Sequence, residues 1–96
     1  SDPMIVGLLS IELHLSGARS LKDKRAVLRR LKDRVARLNV AVSEVAHHDL
    51  HQRAGLGVVT IGVDQAIAER TLGGVVSEIE RVEPGVLVRS EVEWLL

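Results

Sequence analysis

Residues 4–38, MIVGLLSIELHLSGARSLKDKRAVLRRLKDRVARL, change hydrophobic period part-way along, and that change decides the fold. Up to Leu15 the apolar residues alternate. Ile5, Leu9, Ile11, Leu13 and Leu15 share one side, and Ser10, Glu12 and His14 share the other. A period of two over that length is a strand with one half-solvated face. Ser16-Gly17-Ala18-Arg19 then breaks the pattern, and Ser20 with Asp23 three positions on makes a near capping box that opens a helix. Beyond it Leu21, Val27, Leu28, Leu31, Val35 and Leu38 recur at helical spacing on one arc. Lys22, Arg25, Arg29, Arg30, Lys32 and Arg37 cover the opposite arc, while Lys24 falls among the apolar positions.

The same strand–helix logic recurs downstream. Asn39 to Ala46 reads as a second strand, and His47 to Arg53 as a polar connection. Ala54 to Val63, rich in Gly and Val, reads as a buried central strand. Asp64 caps a second helix to about Val82, whose Ala68, Leu72, Val75, Val76, Ile79 and Val82 share a side. Gly73-Gly74 weakens that helix by roughly 1 kcal/mol per glycine relative to alanine, and implies either close packing or a kink. Glu83-Pro84-Gly85 is a turn. In the last strand, Val86 to Leu95, Val86, Val88, Val92 and Trp94 alternate with Leu87, Arg89, Glu91 and Glu93. The order is βαββαβ. Two right-handed crossovers, split and joined, give an α+β ferredoxin-like sandwich: a four-stranded antiparallel sheet with both helices on one face.

Ninety-six residues hold one domain with a small core. Ser1-Asp2-Pro3 ahead of Met4 reads as a remnant of tag removal, so the domain is expected to run 4–96. The chain has no cysteine, hence no disulfide, thiol nucleophile or Cys-based zinc site, which suits a cytoplasmic location. No apolar run is long enough for a membrane span, so a membrane partner is not expected.

Charge is the distinctive feature. The chain is neutral in total, yet nine of its thirteen Lys and Arg lie between Arg19 and Arg37, accompanied only by Asp23 and Asp33. That segment carries about +7 and the remainder −7. Arginine dominates it, which favours bidentate contacts to phosphate. Some of these cations are expected to meet Glu69, Glu78, Glu80 and Glu83 on the second helix, too few to quench them all. The Gly17–Lys24 turn is a second anion candidate, because a helix N-terminus offers unpaired N–H groups.

Other chemistries are poorly supplied. His47, His48 and His51 with Asp49 have roughly the spacing of a chelate, but there is no HExxH pattern, and solvated loop histidines are the expectation; no metal or cofactor is predicted. Acylphosphatases share this fold, but their glycine-rich loop is missing. The two central strands contain no aromatic residue, so bases have nothing to stack on there. Contact with RNA would have to run through backbone phosphates. The half-apolar sheet face at Val6 and Leu8 suggests a homodimer.

Three segments carry a family resemblance: IVGLLSIELHLSGARSLKDKR (5–25), NVAVSEVAHHDLHQRAGLGV (39–58) and VEWL (92–95). Together the chain resembles the bacterial YlxP-like family, a small ferredoxin-like domain of unknown function. Family genes often neighbour those of translation initiation factor two and ribosome-binding factor A, which implies a role around ribosome assembly or translation. The motif residues that carry over are Gly17, Arg19, Ser20, Leu21, Lys22, Lys24 and Arg25, then His47, Asp49, Gln52 and Arg53. The chain departs from the pattern at His48, where Gln is expected, and at His51, where Trp is expected.

The expectation is therefore a non-enzymatic accessory protein of ribosome assembly or translation that contacts RNA backbone. Arg25, Arg29, Arg30, Lys32 and Arg37 would supply the field, Arg19, Lys22 and Lys24 would fix register, and Arg53 would assist. The alternative is a homodimeric interaction module whose basic helix meets an acidic partner.

Overall fold

The computed structural model describes residues 3–96 and has the expected element order. Strand β1 (Ile5–His14) is followed by α1 (Leu21–Val35), β2 (Ala41–Ala46), β3 (Arg53–Gly62), α2 (Gln65–Val82) and β4 (Leu87–Trp94). The strands form one antiparallel sheet in the order β2-β3-β1-β4, so β1 and β3 are central. Ser1 and Asp2, which the expected domain bounds leave out, lie outside the described residues.

Alternation sorts β1 as its sequence demands. Leu9, Ile11, Leu13 and Leu15 are buried under the helices with Ala54, Leu56 and Val58 of β3. Leu28, Leu31 and Val35 of α1 and Leu72, Val75 and Ile79 of α2 close this core. Each such side chain contributes about 1.5–3 kcal/mol of apolar burial. Among the described residues no helix covers the other face of the sheet. Both helices begin on side-chain caps: Ser20 Oγ accepts from the Asp23 N–H at 3.0 Å, and Asp64 Oδ1 accepts from the Ile67 N–H at 3.0 Å.

Two glycines make room for neighbours. A Cβ on Gly7 would stand 2.7 Å from the ring of Trp94, which packs over that position, and one on Gly55 would stand 2.8 Å from the Ala46 Cβ. Gly73 and Gly74 are different. Nothing lies within 4 Å of the Cβ either would carry, and α2 runs unbroken through them. Neither close packing nor a break of the helix accounts for them.

The simple alternation expected of β4 fails near its start. The β1–β4 register shifts between Glu12 and Leu13, so that Leu87 faces Leu13 while Arg89 faces Glu12. The extra residue of this bulge, Val88, is turned out of the core and is 65% exposed.

Candidate functional site

The outer surface of α1 is the strongest concentration of charge on the chain. Lys22, Arg25, Arg29 and Lys32 recur at intervals of three and four residues, which lines them up as one stripe about 15 Å long. Lys22, Arg25 and Arg29 are exposed and Lys32 is half-buried. None of the four has an ion-pair partner among the described residues.

The cations of α1 that turn toward α2 are differently placed. Arg30 pairs with Glu83. Glu78 is held below the usual carboxylate value by its hydrogen bond from Arg81, which outweighs an opposing effect of burial, and further by the charges of Arg81, Arg34 and Arg37. The acids of α2 therefore neutralise one flank of α1 and leave the stripe alone. Arg30 and Arg37, both expected to face a polyanion, lie on this partly neutralised flank.

Lys24 requires a correction. It was expected to fix register on an anion, yet it is 2% exposed and buried beneath the β2–β3 connection. Its ammonium donates to the carbonyls of His47 and Leu50, each at 2.7 Å, and pairs with Glu44 Oε2 at 2.8 Å. Two of its three protons go to these carbonyls, and the Glu44 carboxylate stands as its counter-charge. Buried and already neutralised, it is not open to a phosphate. Its position among apolar residues reflects a buried structural charge that pins a turn, since the Leu50 N–H also bonds the His47 carbonyl at 3.1 Å.

The Gly17–Lys24 turn is likewise occupied. Ser20 uses the Asp23 N–H, and the Asp23 carboxylate accepts from the Arg19 N–H at 2.9 Å. A carboxylate already sits where an anion would dock. Arg19 keeps an exposed side chain beside it. Gln52 ties this loop to the β2–β3 connection through the Ser16 and Ala18 carbonyls.

Arg53, expected to assist the basic helix, lies instead on the open sheet face, 54% exposed, with its guanidinium 3.4 Å from Glu12 Oε2. His47 approaches the other oxygen, Oε1, at 3.3 Å, and His48 lies 3.2 Å from the Glu44 carbonyl. His47 and His48 thus point to separate neighbours, and among the described residues no group of three or more metal-type ligands converges. Glu12 was visible in the sequence only as an alternating polar residue. The pairing of β1 with β3, which sets His14 opposite Arg53, is what brings Glu12 into the cluster.

Known proteins place the chain. Residues 6–92 match the model of the family described as "Protein of unknown function (DUF503)". The chain belongs to this family. It is 31% identical over 91 residues to the uncharacterized protein YlxP of Bacillus subtilis (strain 168), covering 94% of this chain and 99% of that one. Among solved structures, the de novo designed protein Foldit4 superposes with a TM-score of 0.60 at 17% identity, covering 98% of both chains. A NIPSNAP-like domain protein from Burkholderia xenovorans gives 0.58 at 17% identity over 97% of this chain and 84% of its own. Likenesses at such identities speak for the fold alone.

Proposed function

We propose that the protein is a cytoplasmic, non-enzymatic accessory factor that binds structured RNA through its phosphate backbone, in ribosome assembly or translation. The carrying observation is the Lys22–Arg25–Arg29–Lys32 stripe, four aligned cations without an acidic partner among the described residues. Arginine forks suit phosphate oxygens, and Arg19 extends the stripe past the helix N-terminus. The ribosomal setting follows from the family resemblance. It is compatible with a chain in which no helix of the described residues is long and apolar enough to cross a membrane.

Binding of this kind releases counterions, so its affinity falls steeply with salt. Neutralising about four phosphates corresponds to a log–log slope near −3 to −4. Filter binding of structured ribosomal RNA across a salt series measures it. The expected outcome is that slope, and its loss in the double variant R25E/R29E. A flat salt response, or undiminished binding by the double variant, would refute the reading.

One observation favours a second reading, a homodimer. On the uncovered sheet face Leu8, Ala41, Val45, Gly57 and Val59 line a shallow apolar groove of about 250 Å³. Such a surface is a candidate for burial by another copy.

A further inference from the structure

The open sheet face also carries a cleft of about 590 Å³, lined by Glu12, His14, His47, Arg53, Val88 and Arg89. It lies on the side of the sheet away from α1, and backbone binding by the helix makes no use of it. Three independent features mark it.

Two bulges border it. The β1–β4 register shifts between Glu12 and Leu13, and the β2–β3 register between Glu44 and Ala46. Bulges re-aim side chains and concentrate beside functional sites. The first of these turns Val88 into the wall of the cleft.

The second feature is a backbone outlier. His47 has φ 62°, in the left-handed region that is uncommon for any residue with a side chain. Its carbonyl is fixed by the buried Lys24 ammonium, which holds the outlier in place and presents the imidazole to the cleft.

The third is the charge balance. Two guanidiniums and two imidazoles face a single lining carboxylate, and outside the lining Glu91 makes only a long, exposed contact with Arg89, its Oε1 3.8 Å from Nε. Arg89 stands opposite Glu12 on β4 and Arg53 opposite His14 on β3, so the two guanidinium-bearing strands flank β1 on either side. Strands two apart are separated by about 10 Å, a span that two arginine side chains can bridge over one tetrahedral anion. One fork satisfies a carboxylate, whereas two forks with an imidazole suit a phosphate dianion. The Glu12 oxygens each hold one neighbour, His47 on Oε1 and Arg53 on Oε2. A carboxylate has about four acceptor positions, so capacity remains for a hydroxyl donor. The volume exceeds that of a bare phosphate and lies within the roughly 300–1,000 Å³ of small-molecule sites.

We propose that this cleft binds a hydroxylated phosphate monoester, the chemistry of a sugar phosphate, with the phosphate held between Arg53 and Arg89 and a hydroxyl on Glu12. The test is an NMR titration of the full chain with ribose 5-phosphate, against ribose and inorganic phosphate. Ribose 5-phosphate is expected to shift the His14, His47, Arg53 and Arg89 signals saturably and to bind more tightly than either comparator. R89Q, at a side chain 70% exposed and therefore safe for folding, is expected to weaken it at least about tenfold. E12Q is expected to weaken ribose 5-phosphate while leaving inorganic phosphate no weaker. R25E/R29E is expected to leave all three unchanged, which separates this site from RNA binding. Shifts confined to α1, non-saturating shifts, equal affinity for ribose or inorganic phosphate, or indifference to R89Q would each overturn the proposal.

Discussion

A single lysine shows how one residue can be conspicuous in a sequence and still be misread there. Lys24 stood out because it interrupts the apolar arc of α1. Its meaning depends on partners 20, 23 and 26 positions away, Glu44, His47 and Leu50, which no local pattern connects to it. Its removal is expected to be costly. K24M takes the partner from the Leu50 carbonyl and from the buried Glu44 Oε2 atom, and breaking a buried pair costs about 3–5 kcal/mol. Because Glu44 keeps 20% of its surface, the lower end is expected, measured as a fall in the urea midpoint at unchanged slope. K24M/E44Q should recover part of the loss, since the orphaned charge goes with the pair. A K24M protein as stable as the wild type would mean that the ammonium does not pin the turn.

At the level of elements the sequence was easier to read. All six elements follow from period and caps because each needs only neighbours within one strand or one helical turn: Ser20 and Asp64 start the helices where their side chains can reach the N–H three residues on. The bulge at Val88 escaped because alternation has no mark for an inserted residue; only pairing with β1 exposes it. The cation stripe was legible, being helical spacing, whereas its separation from Arg30 depends on how α1 packs on α2. The glycine pair in α2 carries a simple consequence. With open space around both positions, G73A is expected to stabilise the protein by about 0.5–1 kcal/mol, through the entropy that glycine loses on entering a helix. Thermal melting followed by far-UV circular dichroism measures it. A lowered midpoint would show that this part of α2 needs glycine for something other than its fold.

For the whole molecule the question is how its two faces divide the work. The helical layer displays the basic stripe. The sheet layer displays the cleft near His47 and an apolar groove around Leu8, with Val45 and Ile61 60% and 55% exposed. Two modes of self-association are available to such a chain, and salt separates them. If the basic helix of one copy met the acidic residues of another, association would weaken as ionic strength rose, because exposed charges are screened within about 10 Å at 0.1 M salt. If copies met through the sheet, apolar burial would hold them together and salt would leave the dimer intact. The sheet is the better interface, since its groove has no helix over it while α2 already neutralises one flank of α1. Light scattering is therefore expected to give a dimer mass that persists across the salt series. L8D, which places a charge in the groove at a half-exposed position, is expected to give a monomer with an unchanged circular dichroism spectrum. A dimer that dissolves with salt and ignores L8D would assign the interface to the helix instead, and it would leave R25E/R29E unable to distinguish loss of RNA from loss of the dimer. A monomer at every concentration would leave the groove and the cleft exposed together on one face.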